Sequence, residues 1–122
     1  MQNTVILNQN KIFLALYKRG KAIVSPNVII YIRKNRLGLN RFGITAGKKV
    51  GNAVCRNRAK RLIRLAYRNA EIKLPVGIDI VIVARSPICN IKSQEYCGYM
   101  EKYGVPEIIR LCEKFSGDKK RI

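Results

Sequence analysis

The chain has 122 residues, 48% of them hydrophobic, which is enough for one domain with a modest core. It carries 25 Lys and Arg residues against 7 Asp and Glu residues, for a net charge of +18, and it contains no His. No apolar run approaches the roughly 18 residues that a membrane-spanning helix needs, and the first residues lack the layout of a signal peptide. We therefore expect a single cytoplasmic domain over residues 1–122.

The first half of the chain predicts one helix and three strands. Apolar residues recur at helical spacing over residues 11–19, and Gly20 follows as a C-terminal cap. Residues 21–24 predict a short extended segment, and the β-branched run over residues 28–33 predicts a strand. A basic turn then leads to a third strand over residues 41–46, which we expect to pair antiparallel with the second strand as a hairpin.

The second half predicts the longest helix, a buried strand and two further helices. The long helix follows a glycine-containing loop, and Asn52 is its predicted N-cap. Residues 78–85 are nearly all apolar, which predicts a strand at the centre of the sheet. Helices are predicted over residues 93–103 and 106–115, the second with a proline in its first turn, before a flexible basic tail over residues 116–122. The order αβββαβα(α) predicts an α+β fold, a single α/β sandwich with helices against one side of a mixed sheet.

The charge is divided unevenly along the chain. Sixteen Lys and Arg residues and no acids precede Glu71, whereas nine basic residues and all seven acids lie from Glu71 onward. This concentration of positive charge in one half of the chain favours a polyanionic partner, either nucleic acid or an anionic membrane. The basic helix described next has small residues opposite its charges and no aromatic wedge suited to lipid, so we expect a nucleic acid and no membrane partner.

A step of 100° per residue divides the long helix into two faces. One face is apolar and carries Cys55, Ala59, Leu62, Ile63, Ala66 and Ala70. The opposite face is basic and carries Asn57, Lys60, Arg61, Arg64 and Arg68, with Arg56 and Arg58 at its sides. A helix face that is only solvated usually carries both positive and negative charges, because like charges four residues apart, such as Lys60 and Arg64, destabilise a helix. The unmixed charge favours anion binding, and Lys48 and Lys49 in the preceding loop add to it.

Neither the cysteines nor the acids form a recognisable catalytic or metal motif. Cys55, Cys89, Cys97 and Cys112 are irregularly spaced, and with no His a zinc site would need those thiols or carboxylates as its only ligands. We interpret the cysteines as small buried hydrophobes in a reducing compartment and predict no protein-bound metal. Asp79 lies within an apolar strand, where a structural role is more plausible than metal binding.

The segment GKKVGNAVCRNRAKRLIR, residues 47–64, closely resembles the signature of the protein subunit of bacterial ribonuclease P. That signature consists of paired lysines, a Gly-Asn or Gly-Lys pair, and then Arg-Asn-Arg with further basic residues on one helix. Phe13, Tyr17 and Gly20 also resemble the aromatic first helix of the family and its closing glycine. The resemblance implies an α/β sandwich with a left-handed βαβ crossover around the basic helix, against the usual preference for right-handed crossovers.

The resemblance also implies a division of labour between RNA and protein. The RNA subunit cleaves precursor tRNA with bound Mg²⁺ to give the mature 5′ end, and the protein binds that RNA and grips the 5′ leader in a cleft beside the sheet. The implied RNA contacts are Lys48, Lys49, Arg56, Asn57, Arg58, Lys60, Arg61, Arg64 and Arg68. The implied leader cleft holds Phe13, Tyr17 and Tyr31, whose rings suit the stacking of unpaired bases. For Phe13 and Tyr17 the alternative is simple core packing.

The residues themselves argue against cleavage by the protein alone. The chain has no His to act as a general base, and its basic half has no carboxylate for a two-metal site. We expect no catalytic residue and no obligatory protein partner. Two alternatives remain open at this point: a structural ribosomal or rRNA-binding protein, and a DNA-binding protein. A helix that reads DNA bases would mix Asn, Gln and Ser among its arginines, and Asn57 alone is thin support for that alternative.

Overall fold

The structure is a computed structural model that describes residues 4–120, with the side chains of residues 4–114. The strands are β1 (Thr4–Ile6), β2 (Lys21–Val24), β3 (Val28–Lys34), β4 (Asn40–Thr45) and β5 (Ile78–Ala84). The helices are α1 (Asn10–Arg19), α2 (Ala53–Ala70), α3 (Ser93–Tyr99) and α4 (Val105–Lys120). Short 3₁₀ turns lie at Lys48–Val50, Glu71–Lys73 and Ser86–Asn90.

The five strands form one mixed sheet in the order β1-β4-β5-β3-β2. Strand β5 lies at its centre, parallel to β4 and antiparallel to β3, so that Ile80 is opposite Phe42 on one side and Ile32 on the other. Strand β1 runs parallel to β4 at one edge, and β2 runs antiparallel to β3 at the other. The predicted α+β fold with a mixed sheet and a central apolar strand is confirmed.

The predicted hairpin between residues 28–33 and 41–46 is wrong, because β5 lies between β3 and β4. All residues of β5 except Val83 are buried, so this strand gains most from neighbours on both edges. Strand β1 was not predicted from sequence, because its three residues are too few for a periodic signal. Strand β4, helix α2 and strand β5 form a parallel βαβ unit of adjacent strands, and the left hand of its crossover stays a prediction.

Helices cover both faces of the sheet, and the expectation that they lie on one side is wrong. Helices α2, α3 and α4 pack against the face that carries Ile30, Ile32 and Ile80. Helix α1 packs on the opposite face, where Leu16 joins a smaller cluster with Val81. The alternation of side chains along β5 produces this division, since neighbouring residues of a strand point to opposite faces.

The ends of α1 and α2 follow the predicted caps. The N–H of Gly20 donates to the carbonyl of Leu16 at 2.8 Å, which closes α1. The side-chain oxygen of Asn52 accepts the N–H of Cys55 at 3.0 Å in the first turn of α2, which satisfies one of the free donors there. On the apolar face of α2, all the predicted residues from Ala59 to Ala70 are buried. Tyr67 is buried with them, a large residue that was not predicted to lie inside.

The two predicted C-terminal helices are one continuous structure. A π-helical turn, Met100–Gly104, joins α3 to α4, and Pro106 lies in the first turn of α4 as predicted. Helix α4 continues to Lys120, five residues beyond its predicted end. Of the predicted tail over residues 116–122, the last two residues lie outside the described part of the chain, and the flexibility of the tail stays a prediction. No helix within residues 4–120 is long and apolar enough to cross a membrane.

The cysteines differ from the expectation of four small buried thiols. Cys55 and Cys89 form a disulfide that joins the first turn of α2 to the 3₁₀ turn after β5, with their Cα atoms 5.6 Å apart. Cys97 and Cys112 are free and half-buried. The two partners are 34 residues apart in the sequence, so no short-range motif could have indicated the pairing.

Candidate nucleic-acid interface

Helix α2 presents its basic face away from the sheet. On the inner side, Ala59, Ile63 and Ala66 are at most 1% exposed, so the helix axis lies close to the strands. The exposed residues of the outer side are Asn57, Arg58, Arg61 and Arg68. Arg56, Lys60 and Arg64 are half-buried along its margins. We refer to these seven residues as the basic face.

The cations of the basic face are not neutralised by the protein. The ion pairs that join two described side chains lie elsewhere: Arg33 and Arg41 with Asp79, Lys73 with Glu101, and Arg110 with Glu107. Within residues 4–114, therefore, no carboxylate pairs with a cation of the basic face. Arg58 donates to the carbonyl of Ile91 at 3.2 Å, which orients its guanidinium without cancelling the charge. Like charges held together in this way favour a polyanion that would relieve their repulsion.

The loop before α2 extends the positive surface. Lys48 and Lys49 are both exposed and belong to the 3₁₀ turn that leads into the helix. They lie next to the N-terminus of α2, where free N–H groups and the helix dipole favour anions. Gly51 connects the turn to the helix with a φ of 143°, a conformation that L side chains rarely adopt.

Two concave regions border the basic face on its two sides. Lys60 and Arg64 line a cavity of about 160 Å³ at the β1–β4 edge of the sheet. Its remaining walls are apolar and consist of Ile6, Leu7, Phe42, Gly43 and Ile44. On the other side, Arg58 and Arg61 line an open groove with Leu65 and Ser93. Guanidinium and ammonium groups therefore stand beside apolar surface, an arrangement that suits the phosphates and bases of RNA together.

The residues expected in the leader cleft lie on the opposite face of the sheet, between α1 and β3, and we refer to Phe13, Tyr17 and Tyr31 as the aromatic face. The Tyr17 and Tyr31 rings meet edge to face, with centroids 4.9 Å apart. The Tyr17 hydroxyl lies 3.1 Å from the hydroxyl of Thr45. Phe13 and Tyr31 are half-buried against the smaller core cluster, whereas Tyr17 is 36% exposed. Part of the Phe13 ring is therefore buried by core packing, whereas the Tyr17–Tyr31 pair is exposed along one edge.

The two sets of predicted contacts do not form one pocket, and Phe13 is the aromatic residue that comes nearest to the cavity lined by Lys60 and Arg64, through Gly43. Gly43 lies on the β1–β4 edge of the sheet, and a Cβ at this position would stand 2.6 Å from the Phe13 ring. The same glycine lines the cavity that holds Lys60 and Arg64 on the other face.

Asp79, for which the sequence predicts a structural role, is a buried carboxylate at the other end of the aromatic face. Asp79 is fully buried and accepts hydrogen bonds from Arg41 Nε and Nη2, both at 2.7 Å. Arg33 and Asn35 also donate to it, at 3.3 and 2.9 Å. Burial alone would raise the pKa of Asp79, but the hydrogen bonds from Arg41 and Asn35 outweigh it and hold the pKa below its usual value. A carboxylate so occupied has no lone pair directed at a metal ion.

Taken together, the fold and its surfaces define a small basic α+β domain of the RNA-binding type. A model of the family described as Ribonuclease P matches residues 1–104. The chain is 44% identical over 90 residues to the ribonuclease P protein component of Alkaliphilus metalliredigens, covering 74% of this chain and 80% of that protein. It is 43% identical over 81 residues to the ribonuclease P protein component of Clostridium botulinum strain Langeland, covering 66% of this chain and 73% of that protein.

Solved structures agree with the sequence relatives. The Staphylococcus aureus RNase P protein superimposes with a TM-score of 0.73 at 26% identity, over 88% of this chain and 94% of that one. The Thermotoga maritima RNase P protein superimposes with a TM-score of 0.69 at 28% identity, over 77% of this chain and 89% of that one. The chain belongs to the ribonuclease P protein family. It is accordingly an RNA-binding component of a ribonucleoprotein endoribonuclease that processes tRNA, and the ribosomal alternative is not favoured.

Proposed function

We propose that this protein binds the catalytic RNA subunit of ribonuclease P through the basic face, with Lys48 and Lys49, and holds the 5′ leader of precursor tRNA on the aromatic face. It thereby promotes endonucleolytic removal of the leader to give the mature 5′ end. The observation that carries the proposal is the basic face itself, whose cations have no carboxylate partner within residues 4–114. Without a bound polyanion, the like charges of the basic face repel one another and destabilise the helix.

Affinity for the catalytic RNA is expected to come mainly from phosphates. Arginine presents a planar fork of donors that matches a phosphate in bidentate fashion, and five of the seven residues of the basic face are arginines. Each guanidinium that neutralises a phosphate releases a counterion, so binding should weaken steeply as salt is added. Arg58, already oriented by its bond to the Ile91 carbonyl, loses less side-chain freedom on binding than a free arginine would.

The leader requires a different kind of contact, because it is single-stranded and varies in sequence. Stacking on tyrosine faces is sequence-tolerant, since every base has a π face. The edge-to-face geometry of Tyr17 and Tyr31 leaves ring surface at the open side of the cleft, where a base can lie. We infer that Phe13 supports this surface from below, through its packing on Gly43.

The protein is proposed to position RNA while the RNA partner carries out the cleavage. Mg²⁺ held by that RNA would supply the metal-ion chemistry, which the protein has little means to provide. The chain has no His, and its one fully buried carboxylate within residues 4–114, Asp79, is engaged by two guanidinium groups. By neutralising phosphates near the cleavage site, the basic face would lower the Mg²⁺ concentration at which the complex is active. We place this assembly in the cytoplasm, with no second protein required.

Reconstitution tests the proposal. The purified protein is mixed with catalytic RNA and precursor tRNA at a Mg²⁺ concentration at which the RNA alone is nearly inactive, and release of the leader is followed over time. We expect the protein to raise the cleavage rate, and a variant with Arg61→Ala and Arg64→Ala to raise it less. No gain over RNA alone would reject the proposal and favour an rRNA-binding role without cleavage. Because only these three macromolecules are present, activity would also show that no other protein is needed.

A further inference from the structure

The disulfide lies directly behind one end of the basic face. Cys55 is in the first turn of α2, next to Arg56 and one turn before Arg58, and its N–H is held by the Asn52 cap. Cys89 lies in the 3₁₀ turn Ser86–Asn90, which follows the central strand. The bond therefore ties the start of the basic helix to the turn that follows the central strand.

The same segment supports the loop that carries the two lysines. The turns Lys48–Val50 and Ser86–Asn90 are in contact, and Gly51 lies so close to Cys55 that a Cβ at residue 51 would be 3.0 Å from the Cys55 Cβ. The hydrogen bond from Arg58 to the Ile91 carbonyl is a second, non-covalent tie between the helix and this region. If the disulfide were opened, the loop and the first turn of α2 would be held by packing and hydrogen bonds alone.

We propose that Cys55 and Cys89 are a site of reversible thiol oxidation, and that the oxidised protein binds RNA more tightly than the reduced protein. The inference rests on the proposed RNA-binding role of the basic face. The physical reason is preorganisation: the bond restricts local opening of the first turn, so less ordering remains to be done when Arg56 and Arg58 meet phosphates. Disulfides inside reducing compartments are mostly redox-sensing or transient ones, which is consistent with this role.

The chemistry is thiol–disulfide exchange with a low-molecular-weight disulfide such as glutathione disulfide. The Cys55 thiolate attacks a sulfur of the oxidant, forms a mixed disulfide and releases one glutathione thiolate; the Cys89 thiolate then attacks the Cys55 sulfur and releases the second. Two protein thiols lose two protons and two electrons, and one glutathione disulfide becomes two glutathione thiols. Cys55 is the better first nucleophile, because a helix N-terminus and adjacent arginines stabilise a thiolate.

Thermodynamic linkage makes the proposal measurable in two independent ways. If the disulfide raises RNA affinity by some factor, bound RNA must raise the equilibrium constant for disulfide formation by the same factor. Couplings between sites of one protein are typically about 5-fold to 150-fold, and we expect about 5-fold or more here. The two free cysteines provide an internal control, since neither Cys97 nor Cys112 takes part in the bond that holds the first turn of α2.

The first experiment measures binding of the full chain to the catalytic RNA of ribonuclease P after oxidation by glutathione disulfide and after reduction by dithiothreitol. Mass spectrometry after thiol alkylation identifies which cysteines are bonded. We expect at least about 5-fold tighter binding in the oxidised state, reversed by reduction. A Cys97→Ser, Cys112→Ser variant should keep the effect, and a Cys55→Ser, Cys89→Ser variant should bind like the reduced protein in both conditions.

The second experiment uses the unsubstituted chain, so that it does not depend on the folding of any variant. The protein is equilibrated in glutathione buffers of graded ratio with and without the catalytic RNA, and the fraction of bonded Cys55–Cys89 is measured. RNA should shift the midpoint by the same factor as the affinity change. Equal affinities in both redox states, tighter binding by the reduced state, or a midpoint unmoved by RNA would each overturn the inference. Absence of RNA binding in either state would instead overturn the proposed function, together with the inference that rests on it.

Discussion

The Phe42 and Tyr67 rings stack face to face, with centroids 4.0 Å apart and planes 11° from parallel. This contact joins β4 to α2 in the core, and the Tyr67 hydroxyl lies 2.8 Å from the hydroxyl of Thr4 in β1. Lys60 precedes Tyr67 by two helical turns and so lies above it on the same side of α2. The stack therefore fixes the rotation of the helix and places Lys60 over the β1–β4 edge, where it lines the cavity with Arg64.

The proposed role of the basic face predicts that affinity for RNA falls when single arginines are removed. Changing Arg61 or Arg64 to Ala should weaken binding to the catalytic RNA by about 1 kcal/mol, roughly fivefold, because one phosphate contact is lost. The slope of the logarithm of affinity against the logarithm of salt concentration should become shallower by about 0.7–0.9 for each contact. Filter binding at salt concentrations on either side of the physiological value of about 150 mM measures both quantities.

The matched control for these variants is Arg110→Ala. Arg110 lies in α4, outside the basic face, and is already paired with Glu107. The substitution removes the same side chain and the same charge, so it should leave the salt slope unchanged. If Arg110→Ala flattened the slope as much as Arg64→Ala, the effect would come from net charge and not from the basic face.

The proposed role of the aromatic face predicts that substitutions there weaken tRNA binding only when the 5′ leader is present. Tyr31→Leu in the reconstituted complex should weaken binding of precursor tRNA by about 1–3 kcal/mol, because one stacking surface is removed. Binding of mature tRNA, which has no leader, should be unchanged. Tyr17→Phe should have a smaller effect, since it keeps the ring against Tyr31 and removes only the hydroxyl near Thr45. Equal weakening for both tRNA forms would contradict a leader contact; thermal melting of each variant checks the fold.

Asp79 predicts a pH-dependent contribution to stability. Its folded pKa lies below the ordinary value of 3.8, so its contribution is complete above that pH and is lost as the pH falls through the lower folded value. Asp79→Asn leaves Arg41 and Arg33 without their carboxylate and should lower the free energy of unfolding at pH 7 by about 3–5 kcal/mol. It should also flatten the fall in stability below about pH 3.8, because the titrating group is gone.

Urea unfolding across this acidic pH range measures both effects. Glu101→Gln is the matched control, because it removes one carboxylate whose partner, Lys73, is exposed. Such a surface pair contributes only about 0–1 kcal/mol, so this variant should unfold almost as the parent protein does. An Asp79→Asn variant with an unaltered pH profile would show that other acids dominate the acid transition.

Two glycines predict opposite effects of the same substitution. A Cβ at Gly20 would stand 2.6 Å from the Leu16 carbonyl oxygen and 2.9 Å from that of Ile32, both backbone atoms that cannot move alone. Gly20→Ala should therefore lower the free energy of unfolding by about 1–3 kcal/mol. Gly98 lies within α3, where a Cβ would meet no described atom within 4 Å, so Gly98→Ala should raise that energy by roughly 0.5–1 kcal/mol. Stabilisation by both variants, measured in urea, would contradict the steric argument for Gly20.

The local features of α2 could be predicted from sequence because they depend on residues close together in the chain. The Asn52 cap, the apolar stripe and the unmixed basic stripe all follow from the 3.6-residue period and from hydrogen bonding within one turn. Tyr67 was missed because its position on the helix lies near Lys60, between the two arcs, and only the ring of Phe42 on β4 brings it inside.

The arrangement of the strands could not be predicted in the same way. A hairpin between neighbouring strands has the lowest loop-closure cost, yet β5 separates β3 and β4, because a strand that is apolar except for Asp79 is most stable with a neighbour on each edge. The disulfide, the partners of Asp79 and the placement of α1 on its own face likewise join residues far apart in the sequence.

Sequence by itself determined that this chain has a concentrated cationic helix and a family signature, since charge and local periodicity are written in residue order. Tertiary structure decided where those cations stand: on the outer side of α2, with Lys60 and Arg64 at the β1–β4 edge and Arg58 and Arg61 in the groove on the other side, unpaired with the protein's carboxylates within residues 4–114 and backed by a disulfide. The reason is that burial and pairing depend on which distant segments come into contact in the core. Those contacts are determined by the packing of the whole sheet.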